Sequence, residues 1–214
     1  MFGKLTENGV CAECSTVVVA YFLDFMKQLD REWKREKSAA TFAARLRAAD
    51  EHARILQRAV GAFEARGIDF GSPTWSEQLR EAADKRVYLI DRELRAIWDR
   101  AIALATPEAR QTDCLKAWRQ AVAAIVAVQA ELAAAKGPES EGVAEWVGAA
   151  RQQLEHAEIR VQTEAAGKTE FVGNVKKAVA GYREALYAAQ RSSLNEHEKA
   201  ELVAILEHKL AELE

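Results

Sequence analysis

Long segments of this chain carry apolar residues at alternating intervals of four and three positions. The most regular row consists of Ala83, Val87, Ile90, Leu94, Ile97, Ala101 and Leu104. Such spacing puts side chains along one face of an α-helix and is typical of helices that pack side by side. Similar rows run from Phe42 to Phe63, from Val143 to Val161 and from Val172 to Ala189. No segment of useful length alternates with the period of two that marks a β-strand, so the sequence predicts an all-α protein.

Capping and turn signals divide the chain into seven predicted helices. Three pairs match helix starts: Thr74 with Glu77, Thr106 before Pro107, and Ser193 with Glu196. We expect helices over about 14–36, 39–66, 74–105, 107–136, 141–166, 169–191 and 194–213. Helices of this length reach roughly 40 Å at 1.5 Å per residue. They bury their apolar rows best side by side, which predicts an elongated antiparallel bundle of about seven long helices.

One linker interrupts this pattern most clearly. Residues 136–140 read Lys-Gly-Pro-Glu-Ser, a composition that favours a loop. We therefore expect residues 1–136 to hold the first four helices and residues 142–214 the last three. The second group is expected to pack on the first as one domain.

Composition narrows the classes of protein that fit. Of 214 residues, 49% are hydrophobic and 29% charged, with a formal net charge of −3, which excludes wholesale disorder and any general attraction for polyanions. The longest apolar runs, 17–23 and 121–128, fall far short of the roughly 20 residues of a membrane span. With three cysteines and no signal peptide pattern at the start, we expect a cytoplasmic protein without membrane contact.

Cys11 and Cys14 form the one local motif with a chemical mechanism. Two thiols at this spacing near a helix start have a lowered pKa and suit either redox chemistry or half of a zinc site. The chain offers only Cys114 as a further cysteine, and no histidine within 30 residues of the pair. A thiol redox or metal-binding protein is therefore an alternative function rather than the leading one, and we expect no cofactor.

Basic residues concentrate in the second part of the first helix and along the second helix. The candidate phosphate contacts are Lys34, Arg35, Lys37, Arg45, Arg47, Arg54 and Arg58. A basic helix face binds phosphates without regard to sequence, so a nucleic-acid-contacting subunit of a ribonucleoprotein or defence complex is a second alternative. Glu51 lies among these cations at pairing distance on the helix, which favours an ordinary solvated face.

The histidines do not assemble a recognisable catalytic set. None of the four has a carboxylate three residues before it, so the Glu-x-x-His pairs of a di-iron bundle are missing. Arg151 and His156 match the R-x4-H spacing of HEPN ribonucleases, but Arg47 and His52 match it equally well. A motif that recurs by chance within one chain discriminates little.

Two apolar features suggest contacts beyond a simple core. Trp75 follows a Gly-Ser-Pro break and is expected at an exposed helix start. The run from Val17 to Leu23 is apolar on nearly every side, which would bury it centrally or against another chain. We therefore predict a non-enzymatic helical scaffold or interaction subunit of a larger cytoplasmic assembly, with a protein partner or a second copy as its binding partner.

Overall fold

The structure is a computed structural model that describes residues 12–68, 72–106, 109–135 and 139–213, with side-chain surroundings from residue 15 onward. Its helices are α1 (Ala12–Ser38), α2 (Phe42–Ala62), α3 (Trp75–Leu104), α4 (Gln111–Ala134), α5 (Ser140–Phe171), α6 (Val175–Arg191) and α7 (Glu196–Leu213). A short 3-10 turn, Glu64–Arg66, follows α2. These described ranges contain no β-strand, which confirms the predicted all-α class.

Several helix starts follow from local side-chain chemistry. The Thr74 backbone N–H donates to Glu77 Oε2 at 2.8 Å, and the Glu77 N–H donates to Thr74 Oγ1 at 3.2 Å. This reciprocal pair is the predicted capping box, and it satisfies two N–H groups that a helix start leaves free. Thr41 and Asn174 cap α2 and α6 in the same way, each accepting from a backbone N–H three residues on.

The predicted starts of α4, α6 and α7 differ from the structure, and α6 begins at Val175 rather than at residue 169. Helix α4 begins at Gln111 rather than at residue 107, and its N-cap, Arg110, makes no side-chain bond. Helix α7 begins at Glu196 because Asn195 Oδ1, rather than the Ser193 hydroxyl, accepts the Glu198 N–H at 2.9 Å. Ser193 instead donates its N–H and its hydroxyl to Glu155 Oε2.

The end of α5 also differs from the prediction. The helix continues through Gly167 to Phe171, five residues beyond the expected end, and the chain turns at Gly173. Gly173 has a φ of 80°, a left-handed conformation that glycine adopts without steric cost. Gly167 lies inside the helix, where its missing side chain leaves room for a neighbour. A Cβ there would lie 3.3 Å from Tyr182 Oη.

Contacts between Cα atoms group the chain into two compact units, Met1–Glu93 and Leu94–Glu214. The division falls inside α3, so this helix contributes residues to both units. The predicted boundary at residues 136–142 lies within the second unit, and a domain division at that linker stays a prediction.

The core of the first unit is aromatic and aliphatic. Phe63 stacks on Trp75 with ring centroids 6.0 Å apart, and Phe25 meets Phe63 edge to face at 5.3 Å. Ile55 and Leu56 of α2 are almost fully buried beside them. Trp75 is only 5% exposed, so the expectation of an exposed tryptophan at this helix start is wrong. The indole is a core side chain that holds the start of α3 against α1 and α2.

The first unit buries the predicted row of α3 only in part. Ile90 is 5% exposed as predicted, whereas Val87 is 53% exposed. The row that faces the unit along the rest of this part of α3 consists of Trp75, Leu79, Ala82, Arg86, Leu89 and Glu93. Arg86 and Glu93 occupy core-facing positions because each pairs with a charged residue of α2. In the second unit, Leu94, Ile97 and Ala101 are buried as predicted, whereas Leu104 at the end of the row is 51% exposed.

The second unit packs α4 on α5, α5 on α6 and α6 on α7. Trp98 of α3 meets Trp118 of α4 and Trp146 of α5 edge to face, with centroids 5.0 and 5.7 Å away. Between α5 and α6 the buried residues are small, so the two backbones approach closely. A Cβ on Gly181 would lie 3.1 Å from Ala166 Cβ.

Tyr182 is the large buried residue among these small ones. Its hydroxyl donates to Glu170 Oε2 at 2.6 Å. Burial, followed by this hydrogen bond to the carboxylate, raises the pKa of Tyr182 to about 12.

Candidate interaction surface on the first helix

The predicted thiol pair lies at the edge of the described chain. Cys11 is outside the described residues, and the side-chain surroundings of Cys14 are outside them as well. Cys114 is a free, buried cysteine whose thiol points to the Thr106 carbonyl oxygen at 3.9 Å. In the part of the chain that the structure describes, no group of three His, Cys, Asp or Glu side chains could hold a metal ion. The Cys11 and Cys14 site therefore stays a prediction.

The candidate phosphate contacts on α1 already have partners within the chain. Lys34 Nζ donates to Asp30 Oδ2 at 2.6 Å, one turn away. Arg35 Nη1 donates to Glu32 Oε2 at 3.1 Å. Lys37 Nζ lies 3.8 Å above the ring centroid of Trp33, a cation–π contact.

The candidates on α2 are similarly engaged. Arg45 is half-buried and donates to Glu93 Oε2 at 3.0 Å, so it is a structural ion pair rather than a surface cation. Arg54 pairs with Glu51, and Arg58 donates to Gln28 at 3.0 Å.

One groove brings two of the cations together. Arg35 and Arg47 line an open groove of about 500 Å³ between the end of α1 and the start of α2. Glu32 and Glu51 line the same groove, so its charge is mixed. A phosphate there would meet carboxylates as well as guanidinium groups.

A layer of ion pairs ties the helices of the first unit together. Lys85 Nζ of α3 donates to Glu36 Oε2 of α1 at 2.7 Å, and Glu36 is 8% exposed. Arg86 Nε donates to Asp50 Oδ1 of α2 at 2.6 Å. Such paired charges are tolerated near a core because each carboxylate has a cation within hydrogen-bond distance. This layer fixes the register of α1 and α2 against the first part of α3.

His52 lies beside this layer without a hydrogen bond to its buried Nδ1. Burial lowers the pKa of His52 and the Lys85 charge lowers it further, while Glu36 and Glu32 act in the opposite direction. The imidazole lines a cavity of about 150 Å³ together with Trp33, Glu36 and Lys85. Gln78 and Glu81 line the same cavity, so His52 shares it with a second carboxylate besides the Glu36–Lys85 ion pair.

The most distinctive surface of the first unit is one flank of α1. Four apolar side chains lie along it: Val19 (43% exposed), Leu23 (50%), Met26 (44%) and Trp33 (42%). Their intervals of four, three and seven residues keep them on one stripe of the helix. The neighbouring stripe of α1, with Phe25, Leu29 and Glu32, is the buried one. We call the four exposed residues the α1 flank.

Two depressions open beside the α1 flank. Met26 lines a groove of about 470 Å³ whose apolar residues are Phe22, Ile68, Pro73 and Trp75. Its polar residues are Glu64, Ser72, Thr74 and Gln78. Trp33 lines the smaller cavity next to His52. The flank therefore combines a raised apolar row with a recess that could receive a further apolar side chain.

The prediction for residues 17–23 had two options, and the structure excludes the first of them. This run does not lie centrally in the first unit, since Val17 and Tyr21 are 58% and 62% exposed. Burial against another chain is the part that stays a prediction. Met26 and Trp33 continue the exposed row that begins at Val19. They were not predicted to do so, although their spacing from Val19 is visible in the sequence.

Comparison of the chain with known proteins found no match. No family model, no curated protein and no solved structure matches the chain. Among the described residues, none of the helices is both long and apolar enough to cross a membrane.

Proposed function

We propose that this protein is a helical interaction subunit that binds an amphipathic helix of a partner protein along the α1 flank. The observation that carries the proposal is the row of four half-exposed apolar side chains on a helix whose adjacent stripe is already buried. As from the sequence, we place this role in a cytoplasmic scaffold or subunit of a larger assembly.

The spacing of the flank favours a helical partner. Residues at intervals of four, three and seven are those that one helix presents to another when their side chains interlock. Each flank residue leaves about half of its surface to water, so covering it contributes roughly 0.7–1.5 kcal/mol per side chain. Four such side chains give a substantial driving force for binding.

The groove beside Met26 gives the surface an anchor point. Apolar recesses at the centre of an interface receive the side chains that dominate binding energy. Phe22, Ile68 and Trp75 are the apolar part of its lining and would contact a leucine or phenylalanine of the partner helix, while Glu64 and Gln78 would face polar groups of that helix.

The flank also carries charge at one end. Among the described residues neither Lys27 nor Lys37 pairs with a carboxylate, and Lys37 Nζ lies above the Trp33 ring. Asp30, in contrast, is held by Lys34. A partner helix with acidic residues near the Trp33 end would complement this pattern.

Nucleic-acid binding through the basic residues remains an alternative proposal. It has less support because Lys34, Arg35 and Arg54 hold carboxylates of the same chain, and Arg45 is committed to Glu93. Fluorescence anisotropy with a labelled oligonucleotide over 50–300 mM salt tests it. Affinity that falls steeply with salt would support contact with phosphates, and no binding at low salt would remove the alternative.

The experiment for the main proposal is a comparative purification from the cells that produce the protein. The tagged native chain is compared with a Val19→Lys/Leu23→Lys variant and with Val126→Lys, a matched substitution at an exposed valine of α4. We expect the same protein to co-purify with the native chain and the Val126 variant, and to fall at least tenfold with the flank variant.

Circular dichroism checks that the flank variant keeps its helices, since both changes are at exposed positions. Equal recovery of all partners with the three chains would contradict the proposal. Mass determination of the purified protein adds a second reading, because a partner that is a second copy appears as a dimer that the flank substitutions dissociate.

A further inference from the structure

The turn between α5 and α6 exposes the most solvent-accessible large apolar residue of the described chain. Phe171 is 92% exposed, Val172 next to it is 73% exposed, and Val175 at the start of α6 is 44% exposed. Val172 and Val175 were expected on a buried row that continues into α6, and that expectation is wrong for both. We call these three residues the hairpin tip.

Basic residues lie immediately behind the hairpin tip. Lys168 comes three residues before Phe171 on α5, and Lys176 and Lys177 lie in the first turn of α6. Because an α-helix rises 1.5 Å per residue, the backbone that carries these lysines lies about 3–5 Å behind that of the apolar residues. The tip is therefore an apolar point with Lys176 and Lys177 behind it on α6 and Lys168, which pairs with Glu164, behind it on α5.

Two acidic residues also lie near the base of the tip. Glu164 pairs with Lys168 at 2.7 Å, while Glu170 accepts the Tyr182 hydroxyl and keeps its formal charge. On α7, Glu212 accepts from Lys209. Lys176 and Lys177 have no carboxylate partner among the described residues. Three lysines, Lys168, Lys176 and Lys177, against the two glutamates Glu164 and Glu170 leave a formal excess of one positive charge, and it belongs to the two unpaired lysines of α6.

We propose that the hairpin tip inserts into the surface of an anionic lipid bilayer, as a peripheral contact that needs no membrane-spanning helix. Phe171 and Val172 enter the boundary between headgroups and acyl chains, and Lys176 and Lys177 meet the anionic headgroups. Interfacial segments of other proteins bury their apolar side chains about 5–10 Å deep, which side chains of this length can reach. The attraction of lysines for an anionic surface supplies the rest.

A bilayer fits this tip better than a protein partner does. A stable protein interface covers roughly 800 Å² on each side, which a convex point of three apolar residues does not provide. A fluid lipid surface has no such requirement, since it closes around any protruding apolar group. The proposal is independent of the α1 flank, which belongs to the first unit.

Co-sedimentation of the full chain with vesicles tests the proposal. The vesicles are phosphatidylcholine with 30% phosphatidylserine, and pure phosphatidylcholine, at low salt. We expect binding to the anionic vesicles, with Phe171→Ser weakening it about tenfold or more. Lys176→Glu/Lys177→Glu is expected to weaken it at least as much, because each lysine contributes about fivefold before its charge is reversed.

Matched controls separate the tip from other surfaces. Ile205→Ser changes an exposed apolar residue of α7, Lys116→Glu an exposed lysine of α4, and Leu23→Lys the α1 flank; all three should bind vesicles as the native chain does. No sedimentation with anionic vesicles would overturn the proposal. So would sedimentation that Phe171→Ser leaves unchanged, or a photocrosslinker at position 171 that captures a protein while vesicles do not bind.

Discussion

The Glu36 carboxylate accepts a hydrogen bond from Lys85 Nζ at 2.7 Å, which joins α1 to α3 across 49 positions of sequence. Glu36 is nearly buried, while the lysine stem reaches it from a half-exposed position. A buried carboxylate that loses its cation keeps the cost of leaving water without the compensating attraction.

Lys85→Met is therefore expected to lower the free energy of unfolding of the first unit by about 2–3 kcal/mol. Lys34→Met removes the cation of the exposed pair with Asp30 and should change stability by less than about 0.5 kcal/mol. Urea unfolding of both variants gives the comparison. Equal effects of the two substitutions would show that the Glu36 pair is no different from a surface ion pair.

His52 makes the stability of the first unit dependent on pH. Its folded-state pKa is lowered, chiefly by burial, so the unfolded chain takes up a proton near pH 6.5 more readily than the folded one. The contribution is present above pH 6.5 and is lost as the pH falls through 6.5 toward the lower folded value. Hydrogen exchange of α2 peptides should show weaker protection at pH 5.5 than at pH 7.5, after correction for the intrinsic exchange rate.

The variant His52→Gln provides the control for this pH effect. We expect it to reduce the change in α2 protection between the two pH values, since glutamine does not titrate. His156 of the second unit, whose pKa burial also lowers, stays in place and leaves the α5 peptides as an internal comparison. An unchanged pH dependence in α2 would exclude His52 as its source.

Tyr182 should ionise at a higher pH in the folded protein than in the unfolded chain. Its pKa near 12 means that the folded state holds the proton while an unfolded tyrosine loses it near pH 10. The stability of the second unit is therefore lost progressively as the pH rises from 10 toward 12. Absorbance titration of the phenolates should show a phase near pH 12 that Tyr182→Phe removes.

At neutral pH the same substitution isolates the hydrogen bond to Glu170. Tyr182→Phe keeps the buried ring and removes the donor, which is expected to cost about 1–2 kcal/mol. Tyr187→Phe, at an exposed position of the same helix, is the matched control. A cost below that of the control would contradict a structural role for the 2.6 Å contact.

The close contact between α5 and α6 depends on small side chains. Ala166 is 3% exposed and faces Gly181, so Ala166→Leu has no room and should destabilise the second unit by about 3 kcal/mol. Ala165→Leu, one residue earlier on the exposed side of α5, should leave stability within about 0.5 kcal/mol. Thermal unfolding followed by circular dichroism measures both. Similar midpoints for the two variants would contradict the assigned packing.

Helix content was predictable because backbone hydrogen bonding in a helix is local and its apolar period is visible in one sequence. The rows from Phe42 and Val143 are buried or half-buried at every position. The capping box of Thr74 and Glu77 was also readable, because both partners lie within one turn.

The failures have a common physical cause, which is contact between residues distant in sequence. Arg86 and Glu93 interrupt the apolar row of α3, and only their partners on α2 reveal that they face inward. Trp75 was expected at the surface because the preceding break is polar, and Phe63 and Phe22 bury it.

The candidate site was harder to predict than the fold. The exposed residues of the α1 flank have the same spacing as core residues, so the sequence alone does not say which stripe of α1 the first unit covers. For the candidate phosphate contacts, the sequence predicted a binding surface that the structure shows to be largely paired within the chain. A cluster of basic residues was visible, whereas the carboxylates that bind Lys34, Arg35 and Arg45 depend on helix register and tertiary packing.

Site-specific photocrosslinking along α1 tests the central claim most directly. A photoreactive amino acid is placed in turn at Val19, Leu23 and Met26 on the flank, and at Asp24 and Arg31 on the far side of the helix. The account predicts one crosslinked partner protein from the three flank positions and little from the other two, a pattern that follows the helical period. Uniform crosslinking at all five positions, or none above background at Leu23, would contradict it.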